Sequence, residues 1–246
     1  MLGREMRPNT CETCAIRFRA MCGAISSEEL GRLNGIARHR RIAPGQMIMR
    51  CDDEPTYFAT VVSGVVKLSR ALGDSRQQIV GLQFPSDFLG RPFRAHSPYD
   101  AEAATEVQLC TYPTHQFEIL MKEFPGIEHR LFERSLDELD AAREWMLMLG
   151  RKSAREKLAS LVLMIARRSQ SAGCATLAKV QSRDELICDL SLSRTAIADF
   201  LGLTIETVSR QFSALKSDGI IELPSHREVV VTNLSRLEQA AEADMG

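Results

Sequence analysis

At 246 residues the chain is long enough for two modest domains with ample core. Its hydrophobic fraction of 44% and charged fraction of 26% are those of a soluble globular protein. The net charge of −1 gives the whole chain no basic signature, and no apolar run approaches a membrane span. No secretory leader pattern follows the start, so a cytoplasmic protein with no membrane partner is expected. Seven cysteines in such a compartment call for an explanation other than disulfides. They are unevenly placed: Cys11, Cys14 and Cys22 cluster, while Cys51, Cys110, Cys174 and Cys188 are scattered.

In chain order, residues 1–25 form a short ligand-bearing segment. Cys11, two residues, Cys14, seven residues and Cys22 put three thiols within reach of one metal centre. Thiolate is a soft ligand that suits zinc or iron–sulfur iron, and spacing alone does not separate the two. Ser26, Ser27 and Glu28 then open a short helix through Leu30, Leu33 and Ile36. From about Arg38 to Tyr112 the pattern changes to short strands between turn residues such as Pro44-Gly45, Asp52–Pro55, Gly73-Asp74 and Pro85-Ser86. Phe58–Val62, Ser63-Gly64 and Val65–Leu68 read as a hairpin. Many short strands with regular turns predict a small antiparallel barrel or jelly roll over residues 26–125.

After Tyr112 the pattern becomes helical. One helix covers Pro113 to Glu123, and a long one runs over residues 126–150 with Leu131, Leu136, Leu139, Trp145, Met146 and Leu149. Such an apolar load predicts a helix-pair dimer seam, with Leu131, Leu136, Leu139, Met146 and Leu149 in it and Glu144 as an opposing negative element. A further helix covers Arg151 to Ser169, a polar connection covers Ser169 to Leu177, and Ser182 to Asp189 is a helix or turn.

Residues 151–236 carry the clearest motif. Arg194 to Leu201 makes a first helix with Ile197, Phe200 and Leu201 inward, Gly202 suits a positive-φ turn, and Thr204 is a good N-cap. The second helix is expected to bury Ile205, Val208, Phe212 and Leu215 and to turn Glu206, Ser209 and Arg210 outward. Two short helices about a Gly-containing turn describe a helix-turn-helix, and its second helix is the part that enters a major groove. Arginine bonds bidentately to guanine, glutamate accepts from cytosine N4, and serine reaches a base or phosphate. Thr204 and Thr207 stand beside them at the helix start and complete the candidate DNA-contacting set. Basic residues outnumber acidic ones by four between residues 151 and 236. Ile220–Leu223 and Val229–Val231 with Ser225-His226 between them read as a wing, and residues 237–246 as a frayed tail.

The expected fold class is α+β: an N-terminal antiparallel β-barrel or jelly roll, a long dimerisation helix and a C-terminal winged helix-turn-helix. That order resembles the CRP/FNR superfamily of bacterial transcription regulators over nearly the whole chain. The stretch PGQMIMRCDDEPTYFATVVSGVVKL is similar to the family's first barrel strands, and LGLTIETVSRQFSALKSDGII to its DNA-reading unit. The resemblance implies no enzyme. It implies a homodimer on double-stranded DNA working with RNA polymerase, and E-x-x-S-R implies a TTGAT-type half-site in an inverted repeat. It further implies a 4Fe–4S cluster on Cys11, Cys14, Cys22 and Cys110, the ligand pattern of the oxygen sensors in this family. Cys51, Cys174 and Cys188 match no ligand position. Cyclic nucleotide is not expected, because Arg91-Pro92 stands where the nucleotide pocket has Glu-Leu and no Arg-Ser pair follows; Arg91 and Arg94 keep it as a minor alternative. Three other readings remain at this stage: a regulator with zinc or no metal, a metal-containing enzyme, and a barrel that only binds a partner protein. Against the enzyme, the chain holds no phosphate loop, G-x-S-x-G or H-E-x-x-H.

Overall fold

The computed structural model describes residues 11, 13–71, 73, 77–171, 178–180, 186–225 and 228–242. The chain divides into two compact units between Asp140 and Ala141, inside one long helix.

The first unit opens with turns that lead into a 3₁₀ turn, Met21–Ala24. Helix α1, Ser27–Ile36, starts on a complete capping box: Glu29 N–H donates to Ser26 Oγ at 3.2 Å, and Ser26 N–H donates to Glu29 Oε2 at 2.6 Å. Eight strands follow: β1 Arg38–Ile42, β2 Met47–Met49, β3 Tyr57–Ser63, β4 Val66–Ala71, β5 Gln77–Gln83, β6 Phe88–Leu89, β7 Asp100–Ala103 and β8 Val107–Pro113. They form two four-stranded antiparallel sheets, ordered β1-β8-β3-β6 and β2-β7-β4-β5. This is the expected double-sheet architecture. Ile48, Val61, Val66, Leu68, Leu89, Val107 and Leu109 fill one core.

The expected Phe58–Leu68 hairpin does not exist. Strands β3 and β4 lie in different sheets, and Ser63-Gly64 carries the chain from one to the other. Gly64 has φ +85°, and a Cβ there would collide with the Glu106 carbonyl oxygen. Val65 N–H donates to Thr105 Oγ1 at 3.0 Å, which holds the turn away from hairpin pairing. The real neighbours of β4 are β7 and β5, the latter from Val66 opposite Gln83 to Ala71 opposite Gln77.

Helices α2, Thr114–Glu123, and α3, Pro125–Arg151, come next. Phe117, Leu120, Met121, Ile127 and Leu131 join Phe58 and Tyr112 in a second core, which also takes in Met21 and Cys110. Aromatic contacts tie it: Phe117 meets Phe58 edge-on at 5.6 Å and Tyr112 at 5.3 Å. Gly90 is needed here, since a Cβ would sit 2.5 Å from the Phe58 ring.

In the second unit, α4 (Ala154–Ser171) is a separate helix after a break at Lys152-Ser153. A four-stranded sheet is ordered β11-β12-β10-β9, with β9 Ala178–Val180, β10 Leu186–Asp189, β11 Ile221–Glu222 and β12 Glu228–Val231. The expected helix or turn at Ser182–Asp189 is therefore a strand where it is described. Leu186 and Cys188 alternate inward, a period of two that four residues make hard to see. Cys174 and His226 lie outside the described residues. The tail is not frayed through Glu242: α7, Leu234–Glu242, buries Leu237, Ala240 and Ala241. It packs along α4, with Arg167 to Glu238 at 2.9 Å and Lys152 Nζ donating to the Ala241 carbonyl at 2.8 Å. No described helix is long and apolar enough to cross a membrane.

Candidate metal centre and nucleic-acid interface

The cysteine segment is built from tight turns. Arg17 N–H donates to the Cys14 carbonyl at 3.1 Å, and Ala20 N–H to the Ile16 carbonyl at 3.0 Å. Ile16, Ala20 and Met21 are buried, so alternate parts of the segment are sunk into the protein. Gly23 lets the turns close: a Cβ there would lie 2.7 Å from the Phe18 carbonyl oxygen. Cys110 comes from the middle of β8, opposite Thr60 of β3 and His39 of β1.

Cys11, Cys14, Cys22 and Cys110 line a single cavity, completed by Ile16, Arg17, His39, Thr60 and Tyr112. The four residues implied as ligands by the family resemblance are thus brought together, although Cys22 and Cys110 are far apart in sequence. Cys51 and Cys188 are free cysteines elsewhere. Among the described residues no three His, Cys, Asp or Glu side chains converge as a single metal ion would require.

Burial dominates the site's electrostatics. It pushes the Cys110 thiol up to about 12; the Tyr112 hydroxyl opposes the shift and the other three cysteines reinforce it. Cys22 is pushed up to about 11 by burial, then by Cys11 and Cys14, against its own backbone N–H and Tyr112. Cys11 is raised by burial and by Cys14, with the Arg17 guanidinium opposing. The Cys11, Cys22 and Cys110 thiols, raised in this way, keep their protons until a cation displaces them, as expected of a metal-binding donor set. Burial also lowers His39, keeping its imidazole neutral.

The helix-turn-helix consists of α5, Arg194–Leu201, and α6, Ile205–Ser217. Ser193 caps α5 by accepting from Ala196 N–H at 3.1 Å. Gly202 closes it in the left-handed region, φ +62° and ψ +41°, and Leu203 N–H returns to the Ala198 carbonyl at 3.0 Å. Thr204 caps α6 by accepting from Thr207 N–H at 3.2 Å. Ile197, Phe200, Leu201, Val208, Phe212 and Leu215 are buried as expected, and the Arg194 guanidinium lies 3.4 Å over the Phe212 ring. Ile205 is not buried: it is 43% exposed at the first position of α6. Glu206, Ser209 and Arg210 all face solvent. The Glu206 carboxyl is held below its usual value by its own backbone N–H and the Thr204 hydroxyl, so it is an anion at the helix start. Thr207 is half-buried and bonded to Thr204 at 3.1 Å, which makes it part of the cap.

Among the residues predicted for the seam, Leu136 and Leu139 are exposed within the first unit and Met146 within the second. Leu131 is instead buried in its own unit's core, Leu149 is half-buried, and Glu144 is exposed. Phe132 and Leu147 are exposed too. Phe132 lies four residues before Leu136, so carrying the spacing of the expected seam residues back along the helix reaches it. Trp145 turns the other way and stacks on Phe200 at 3.7 Å. Arg91 and Arg94 are both exposed, next to β6.

A double-sheet unit, a long helix and a winged helix-turn-helix define a DNA-binding transcription regulator of the CRP type. Residues 156–240 match the Crp-like helix-turn-helix domain and residues 39–124 the cyclic nucleotide-binding domain. The chain belongs to the CRP/FNR family of transcription regulators. It is 47% identical to the transcriptional activator protein FnrL of Cereibacter sphaeroides over 95% of this chain and 92% of that protein. A probable transcriptional activator of Rhizobium leguminosarum bv. viciae is 42% identical over 96% of this chain and 95% of that protein. Among solved structures, FixK2 from Bradyrhizobium japonicum superposes with a TM-score of 0.73 at 30% identity, covering 83% of this chain and 97% of that one. These relatives are regulators, so the chain is not an enzyme.

Proposed function

We propose that this protein is a cytoplasmic, oxygen-responsive regulator in which Cys11, Cys14, Cys22 and Cys110 hold a 4Fe–4S cluster. The observation that supports the reading most is the single cavity lined by all four cysteines. Four cysteines on one cavity can supply one thiolate to each iron of such a cluster. When bound, the cluster supplies an oxygen-labile cross-link.

The chain's own residues do the rest. Cys11, Cys14 and Cys22 tie the N-terminal turns to β8 through Cys110, and Met21 and Cys110 share the core that also takes the start of α3. Phe132, Leu136, Leu139 and Met146 give α3 an exposed apolar seam for a second copy of the chain. Glu144 lies beside the seam, where its like-charged copy opposes association until the bound state favours the dimer. In the dimer the two α6 helices enter major grooves one helical turn apart, and Glu206, Ser209 and Arg210 read the halves of a TTGAT-type inverted repeat. RNA polymerase is the partner at the promoter.

The test is anaerobic purification with iron and sulfide analysis, then absorption during exposure to air. About four irons and four sulfides per chain, with a brown colour that bleaches in air, is the expected result. Zinc, or no metal in protein that still binds the operator, removes oxygen sensing and leaves the DNA-reading role. Glu144→Ala is expected to raise the dimer fraction of air-exposed protein in sedimentation; an unchanged fraction rejects the repulsion.

A further inference from the structure

The cysteine cavity has two hydroxyls in its wall as well as four thiols. Tyr112 follows Cys110 by two residues on β8, so both side chains leave the same face of the strand. Its ring is packed against Phe117 at 5.3 Å, which fixes where the phenol oxygen must go. The residue is 1% exposed, and its hydroxyl lies within hydrogen-bonding reach of the Cys22 and Cys110 sulfurs. A buried phenol keeps such a partner because it has lost water. Thr60 stands opposite Cys110 on β3, is also 1% exposed, and its hydroxyl lies within reach of the Tyr112 oxygen without a well-formed hydrogen bond. A poorly satisfied hydroxyl in the wall of a cavity is accounted for when an acceptor enters the cavity.

We propose that Tyr112 is a positioning residue for the iron–sulfur cluster, donating its O–H to a cysteine ligand sulfur, with Thr60 as a second donor toward the cluster's sulfur atoms. The inference rests on the cluster reading above. Nothing about the ring requires the hydroxyl: the aromatic core would accept phenylalanine at this position. The hydroxyl instead bridges the strand ligand Cys110 and the turn ligand Cys22. A hydrogen bond to a ligand sulfur withdraws electron density from it, which raises the reduction potential and makes the cluster harder to oxidise. The Tyr112 and Thr60 hydroxyls therefore set how readily oxygen is sensed, while the four cysteines set whether a cluster is held at all.

Tyr112→Phe and Thr60→Val keep shape and remove one hydroxyl each. Both proteins and the wild type are loaded anaerobically and compared by iron and sulfide content, redox titration, Fe–S stretching frequencies in resonance Raman, and bleaching time in air. Tyr112→Phe is expected to load fully, to show a lower midpoint potential and shifted Fe–S stretches, and to bleach roughly tenfold faster. Thr60→Val should move all three readouts the same way by less. Unchanged potential, stretches and bleaching in Tyr112→Phe, beside a normally loaded wild type, overturn this inference alone. A wild type that takes up no iron overturns it together with the cluster reading. If Tyr112→Phe melts far below the wild type as apo-protein, the hydroxyl serves folding, and the proposal is overturned.

Discussion

In the first unit the functional side chains face inward. Cys110 and Thr60 are buried, and Tyr112 reaches toward sulfur atoms. In the second unit the candidate contacts Ser209 and Arg210 face outward, on a helix whose core and caps are complete without them. Val208, Phe212 and Leu215 bury one face of α6, Thr204 caps its start, and Arg210 forms no hydrogen bond or ion pair among the described residues. A group that must hold a small inorganic ligand has to be dry and preorganised, so its residues are part of the core. A group that must read a groove edge has to be reachable, so its residues are removable without harm to the fold. The difference teaches that mutation should couple stability and function in the first site and separate them in the second.

Five substitutions, one of them a control, sharpen or break that contrast. Cys110→Ser should abolish retention of iron and sulfide, while Cys51→Ser should leave it intact; equal retention in the two proteins would reject the ligand assignment. The apo-protein should also lose stability on Cys110→Ser, because a hydroxyl replaces a buried thiol in the Phe58–Tyr112 core. Leu215→Ala, on the buried face of α6, should cost about 2–5 kcal/mol of unfolding free energy in the second unit, measured by denaturant titration. Arg210→Ala should weaken operator binding by about 1–3 kcal/mol and relax preference at one base pair, with an unchanged melting curve. A uniform loss on all sequences would mean that Arg210 touches phosphate only. At the small end, Ile205→Ala should change stability by no more than about 0.5 kcal/mol, since the side chain is 43% exposed. A cost as large as that of Leu215→Ala would contradict its outward placement.

Much of the second site was legible because its determinants are local. A cap at Thr204, a left-handed Gly202 and apolar residues at helical spacing all act within a few residues, and the structure has the cap and the turn as expected. Periodicity misplaces Ile205 because it reports a face of a helix and not how much of that face its neighbours cover. The cysteine trio was legible as a donor set by its spacing. Cys110 entered only through the family resemblance, since nothing near it in the chain distinguishes it from Cys51 or Cys188. Tyr112 and Thr60 carried no signal at all, because an aromatic residue and a threonine in strands are ordinary there.

The sequence by itself determined the order of architectures, the helix-turn-helix with its outward Glu206, Ser209 and Arg210, and the clustering of Cys11, Cys14 and Cys22. Only the tertiary structure decided that Ser63-Gly64 joins two sheets instead of closing a hairpin, and that Leu186–Asp189 is a strand. It also decided that Leu131 belongs to the core of its own unit, and that α7 packs along α4. The physical reason is range. Caps, turns and periodicity are written in neighbouring residues, whereas strand pairing and burial depend on which distant backbone supplies the hydrogen bond or covers the apolar face. The cavity wall is the extreme case, since Cys110, Thr60 and Tyr112 gain their meaning only from the strand register that sets them around the same space.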